Sequence, residues 1–131
     1  MKCLVDTDVV VNQLRGKTKL KEKIVEDGIA ISIITFGELL YGAHKSADKE
    51  KSLTVLHEFI SDFKISILDL TQEIMNAYAK TKVLLEEKGK KLDEFDLLIG
   101  ATAIVHSLPF VTLNLSHFER IPNLHIVKNH S

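Results

Sequence analysis

The chain has 131 residues, 45% hydrophobic and 27% charged, the balance of an ordinary soluble globular protein, and its length suggests a single domain over 1–131 with a core of its own. Seventeen Lys and Arg against 18 Asp and Glu give a net charge of −1, which excludes an overall nucleic-acid footprint but not a basic rim around an acidic pocket. The one cysteine, Cys3, excludes an internal disulfide and fits a reducing, cytoplasmic setting.

Lys2–Val5 reads as a short buried strand ending at Asp6, an apolar run too short for a signal-peptide core. Val9–Leu14 reads as a short helix stopped near Gly16, and Leu20–Val25 as a charged amphipathic helix closed by Asp27 and Gly28. Ile29–Ile33 is rich in β-branched residues and predicts a strand. From Thr35 to about His44, Phe36, Leu39, Leu40 and Ala43 recur at helical spacing. Leu53, Leu56, Phe59, Ile60 and Phe63 mark a further helix, Ile65–Leu68 a strand, and Ile74 to Leu85 a long helix ended by Gly89.

Asp93–His106 is almost wholly apolar and predicts a central helix. Phe110–Leu113 reads as a strand, Ser116–Arg120 as a turn or short helix, and His125–Val127 as a last strand. Leu97 to Ser116 contains no Asp, Glu, Lys or Arg, yet Pro109 splits it, so it reads as a buried helix and strand rather than a membrane span. Strands separated by helices predict an α/β fold with a mainly parallel sheet covered on both faces.

Three acids interrupt the most apolar segments. Asp6 parts Leu4-Val5 from Val9-Val10-Val11, Glu38 is the only acidic or basic residue (His aside) between Asp27 and Lys45, and Asp96 opens the long uncharged run. Carboxylates are rarely buried unless paired or bound to metal. Capping accounts for each singly: Thr35 and Glu38 have capping-box spacing, Asp8 and Asp93 stand at helix starts, and Asp96 lies one turn in. It does not account for the apolar surroundings. All three lie just past strand ends or at the start of a helix leading to one, the edge where open parallel sheets bind ligands. Converging carboxylates repel, and a hard divalent cation such as Mg²⁺ or Mn²⁺ would offset that. Asn114 ends a fourth strand at this edge and offers an amide oxygen, or else marks a turn; Thr112 offers a hydroxyl. The lysine groups Lys17–Lys23 and Lys80–Lys91 read as solvated helix faces. The six His lack metal spacing, with His117 near the rim, and neither a serine-nucleophile setting nor a phosphate loop occurs.

Four segments in order, Leu4-Val-Asp6-Thr-Asp8-Val9, Thr35-Phe-Gly-Glu38-Leu-Leu-Tyr-Gly42, Phe95-Asp96-Leu-Leu-Ile99-Gly-Ala101 and Val111-Thr-Leu-Asn114 through Leu124, together resemble a PIN-domain ribonuclease of the VapC-like toxin type found in type II toxin–antitoxin pairs. The resemblance implies a three-layer α/β/α sandwich with Asp6, Glu38 and Asp96 as its acidic triad and Asn114 at the fourth position. It implies a homodimer silenced by a cognate antitoxin, with RNA as substrate and no membrane segment. Asp6 and Asp96 would ligate Mg²⁺ or Mn²⁺, while Glu38 and Asn114 would hold the attacking water or a second ion. Gly100 replaces a usual Ala, an exchange expected to cost only helix propensity. Leu113 replaces a common polar residue and removes one polar group from the rim. Two other readings stand beside this one: an aspartyl-phosphate phosphatase, suggested by Asp6-Thr-Asp8, and a non-catalytic PIN-like module that binds RNA or protein.

Overall fold

The computed structural model describes residues 2–129. Five strands, β1 (Cys3–Val5), β2 (Ile29–Ser32), β3 (Ser66–Leu68), β4 (Phe110–Val111) and β5 (Ile126–Val127), form one sheet in the order β3-β2-β1-β4-β5. Every pairing is parallel, and register is set by Leu4 opposite Ala30 on one side and Phe110 on the other. The helices are α1 (Thr7–Leu14), α2 (Glu22–Asp27), α3 (Ile33–Lys45), α4 (Lys49–Asp62), α5 (Gln72–Glu87), α6 (Glu94–Val105) and α7 (Leu115–Phe118).

Strand residues alternate between the two faces, and this alternation builds two cores. Cys3, Val5, Ile29, Ile31 and Val111 pack with Val9, Val10, Leu39, Leu56 and Phe59 from α1, α3 and α4. Leu4, Ala30 and Phe110 point the other way, onto Leu85 of α5, Leu97 and Ile99 of α6, and Phe118 of α7. Helices therefore cover both faces of the sheet, and the expected three-layer α/β/α sandwich is what forms. The apolar helix α6 is central as expected, with Leu97, Ile99, Gly100, Ala101, Thr102 and Ala103 all buried.

Helix starts differ from those expected, each for a local reason. α1 begins at Thr7 rather than Val9, because Asp6 is the residue that caps it. α3 begins at Ile33, directly after β2, because the Ser32 side chain accepts the Ile34 N–H at 3.0 Å. Thr35 is thus a buried residue within the helix, and the Thr35–Glu38 spacing is not a capping box. β4 stops at Val111, where the next residue, Thr112, turns its hydroxyl onto the backbone of Asn114.

Gly100 has a reason beyond helix propensity. A Cβ built there would lie 2.6 Å from Cδ1 of the buried Ile121, so the glycine lets the segment after α7 pack onto α6. Gly28 closes α2 with φ +103, a conformation that a residue with a Cβ rarely adopts, and so allows the chain to turn directly into β2.

Candidate active site at the strand-order reversal

From β1 the chain runs outward through β2 to β3, then returns to the other side of β1 for β4 and β5. The order therefore reverses between β1 and β4, the place where open parallel sheets bind ligands, at the carboxyl ends of their strands. Asp6 follows β1 at this point, and Thr112 follows β4. The parallel ladder continues one step past β1 through Asp6 N–H to Val111 O at 2.9 Å, which fixes both residues side by side. Asp6 is 6% exposed. Its Oδ1 accepts the Thr7 N–H at 2.8 Å and its Oδ2 accepts the Thr112 hydroxyl at 2.8 Å.

Glu38 reaches the same edge of the sheet from the second turn of α3. Its Oε1 accepts the Thr7 hydroxyl at 2.7 Å, and Thr7 Oγ1 also lies 3.1 Å from Thr35 Oγ1. Thr7 therefore links two of the acids: its N–H donates to Asp6, and its hydroxyl donates to Glu38. Asp96 stands in the first turn of α6, half-buried, while Asp93 caps that helix by accepting the Phe95 N–H at 3.2 Å. Asp93 is a cap, as its position suggested. Asp8 is not: it lies exposed in the first turn of α1, and Asp6 takes the capping role.

Asn114 does not cap α7 with its side chain. Its Nδ2 lies 2.7 Å from His117 Nδ1 instead, and His117 Nδ1 lies 3.9 Å from Asp96 Oδ2. This contact joins the fourth position to the residue beside Asp96, and which partner donates depends on the His117 tautomer. Asn114 Oδ1 is left as the amide's acceptor. The Asn114 N–H donates to Thr112 Oγ1 at 3.0 Å, which ties the fourth position to the hydroxyl that holds Asp6.

The electrostatics tie the acids together. Burial, above all, pushes the Asp6 carboxyl up to about 6, with Asp96 and Asp8 adding to it and the Thr112 and Thr7 hydrogen bonds opposing. Asp96 is also raised, first by burial, then by Asp93, Glu38 and Asp8, against the pull of His117. The side chains meet in one field without closing on a point: among the described residues no three Asp, Glu, His or Cys side chains stand together as a ready-made ion site. The donor set is oxygen-rich, and Mg²⁺ binds through one or two carboxylates while keeping several waters, so Asp6 and Asp96 fit it without a third protein ligand in place.

The sequence brought Asp6, Glu38, Asp96 and Asn114 to one edge, with Thr112 beside them. It did not single out Thr7, and it read Thr35 as a cap rather than as a hydroxyl beside the acids. The only signal was a hydroxyl next to Asp6 and another one turn before Glu38. Beside Glu38, α1, α3 and α4 enclose a groove of about 460 Å³ with Val11, Leu14 and Val55 on its walls and Arg15 and Lys51 among its lining.

The PIN domain family model matches residues 3–124. Ribonuclease VapC2 of Rickettsia felis is 40% identical over 96 residues, covering 73% of this chain and 70% of its own. The tRNA(fMet)-specific endonuclease VapC of Salmonella typhimurium is 32% identical over 129 residues, covering 96% of each chain. Among solved structures, the DNA-bound VapBC of Salmonella typhimurium superposes with a TM-score of 0.87 at 32% identity over 99% of both chains. VapBC2 of Rickettsia felis, bound to a promoter DNA fragment, gives 0.86 at 30% identity over 98% of both.

Proposed function

This chain belongs to the PIN-domain family, among the VapC ribonucleases, and from that premise we propose that it is an endoribonuclease toxin that cleaves single-stranded or looped RNA with a divalent cation. The observation that carries this reading is the buried Asp6 at the strand-order reversal, pushed up to about 6 and sharing its field with Asp96. A carboxylate so placed is costly as an anion unless a cation accompanies it. Membership of this family also removes the aspartyl-phosphate phosphatase reading, which had no role for Glu38.

Asp6 and Asp96 would hold the ion, which when bound would supply Lewis acidity toward water and neutralise charge on the phosphoryl oxygens. Thr7 and Thr112 fix both oxygens of Asp6, so the carboxylate does not have to reorganise when the phosphate arrives. Glu38, steadied by the Thr7 hydroxyl, orients the attacking water and takes up its proton. Asn114 Oδ1 would hold the water or a second ion. In-line attack breaks the bond to the 3′ oxygen and leaves a 5′-phosphate and a 3′-hydroxyl. A duplex hides its bases and does not thread a narrow acidic crevice, so the strand is unpaired. The cleft lined by Lys90, Ser116, Glu119 and Arg120, with two cations to one anion, would give its backbone a net cationic support.

The groove beside Glu38 suits an antitoxin segment: apolar walls receive its helix or strand, and Glu38 at the groove accepts a basic side chain. A homodimer is part of the same reading, and on α3 Tyr41, 66% exposed, is the aromatic left for such a contact. Among the described residues no helix is long and apolar enough to cross a membrane. The test is metal-free protein incubated with RNA, with and without Mn²⁺, beside Asp96→Asn. Cutting that needs the ion and vanishes in the variant supports the reading. Cutting that persists in either control overturns it.

A further inference from the structure

Eight large hydrophobic side chains are exposed among the described residues, and three of them adjoin the acidic site in the chain. Phe95 precedes Asp96, and Leu113 and Leu115 flank Asn114; they are 48%, 52% and 43% exposed. The contacts from Asn114 to His117 and from His117 to Asp96 bring their two segments to one rim. None of the three belongs to either hydrophobic core. The ring pairs among the described residues are Phe59 with Phe63 and Phe110 with Phe118, so Phe95 stacks on no other ring. Its backbone is nevertheless fixed, since the Phe95 N–H is the one that Asp93 caps.

An acidic site in a chain of net charge −1 attracts a polyanion poorly. Contacts that carry no charge would add to what the cation and the Lys90 and Arg120 side chains supply. Unpaired bases stack on aromatic side chains irrespective of sequence, and a methyl-rich neighbour such as Leu113 covers the second edge of a stacked base. We propose that Phe95, with Leu113 across the rim, is the platform on which an unpaired nucleobase beside the scissile phosphate stacks. The inference rests on the ribonuclease reading and adds to it the class of group recognised next to the cut. The platform also selects against duplex, because a base already stacked and paired has no face to offer. Leu113, which replaces a polar residue at the rim, then has a role as an apolar edge.

The chain contains no tryptophan, so Phe95→Trp creates a sole tryptophan at this position, excited selectively at wavelengths where the two tyrosines absorb little. In a Glu38→Gln background, which silences cutting, titration with a single-stranded oligoribonucleotide in Mn²⁺ is expected to quench the emission saturably, and a duplex of the same sequence to leave it nearly unchanged. In the cutting protein, Phe95→Ala is expected to raise KM about tenfold with kcat little changed, and Phe95→Tyr to restore it. Equal quenching by duplex, or a KM that Phe95→Ala leaves unmoved, overturns the platform while leaving the ribonuclease reading intact. Emission that shifts with protein concentration in the absence of RNA assigns the patch to contacts between copies of the chain and equally overturns it. Failure of the ribonuclease reading has a different signature: no cutting by the unmodified chain, whatever the quenching.

Discussion

Asp6→Asn separates what the site costs the fold from what it gives to function. A carboxyl whose pKa is raised in the folded state binds its proton more tightly there than in the unfolded chain. The stability it contributes is full below the ordinary 3.8 and is lost as pH rises through about 6. The gap, at about 1.4 kcal/mol per pH unit, makes the ionised group cost the metal-free fold about 3 kcal/mol. Asp6 is 6% exposed, so solvent screening removes little of this. Asparagine abolishes the charge and keeps the acceptor for Thr7 N–H, but it meets Thr112 with an amide nitrogen where an oxygen accepted its hydroxyl, at a loss of about 1 kcal/mol. The net expectation in EDTA at pH 7.5 is a variant about 2 kcal/mol more stable than the parent, or roughly 5–8 °C in Tm. At pH 4.5 the parent carboxyl is protonated, and the variant is expected to be equal or up to about 1 kcal/mol less stable. Urea unfolding of both proteins at the two pH values measures the difference, and other titrating groups cancel between them. A parent–variant difference that does not change from pH 4.5 to 7.5 would refute the reasoning.

Mn²⁺ should reverse that ordering, raising the stability of the parent by about 2.7 kcal/mol at a hundredfold excess over Kd and leaving Asp6→Asn nearly unmoved; equal thermal shifts in both would place the ion elsewhere. Thr112→Val removes the hydroxyl that donates to Asp6 and receives the Asn114 N–H, so it should cost about 1–2 kcal/mol by urea unfolding. Because that hydrogen bond lowers the Asp6 pKa, the same variant should move the acid limb of the pH–rate profile upward, and an unmoved or falling limb would count against Asp6 as the titrating ligand. Gly100→Ala should destabilise by about 1 kcal/mol despite alanine's better helix propensity, because its Cβ meets Ile121 Cδ1. Ile121→Val deletes that methyl, so the double variant should be clearly more stable than the sum of the singles, and additivity in the cycle would show that Ile121 is not what the glycine accommodates.

The α/β alternation, the apolar central helix and the edge bearing Asp6, Glu38, Asp96 and Asn114 were legible in the chain because hydrophobic periodicity and isolated charges are local properties. The chain order of the strands was also legible, but their spatial order was not. That the chain passes outward to β3 and returns beside β1 is decided by which faces pack, and it alone puts Thr112 against Asp6. Capping shows the same limit at shorter range. Ser32, Thr35, Asp6 and Asp8 are all competent caps by residue type, and only the backbone entering each helix chose Ser32 and Asp6. Gly100 read as a mild defect of helix propensity, because Ile121, the residue it accommodates, lies on a different segment. What the sequence determined by itself is which residues are too costly to bury without a purpose. What only the tertiary structure decided is how they are held: Thr7 between Asp6 and Glu38, and His117 between Asn114 and Asp96. Hydrogen bonds act over about 3 Å, a distance fixed only once the sheet has brought separate segments together.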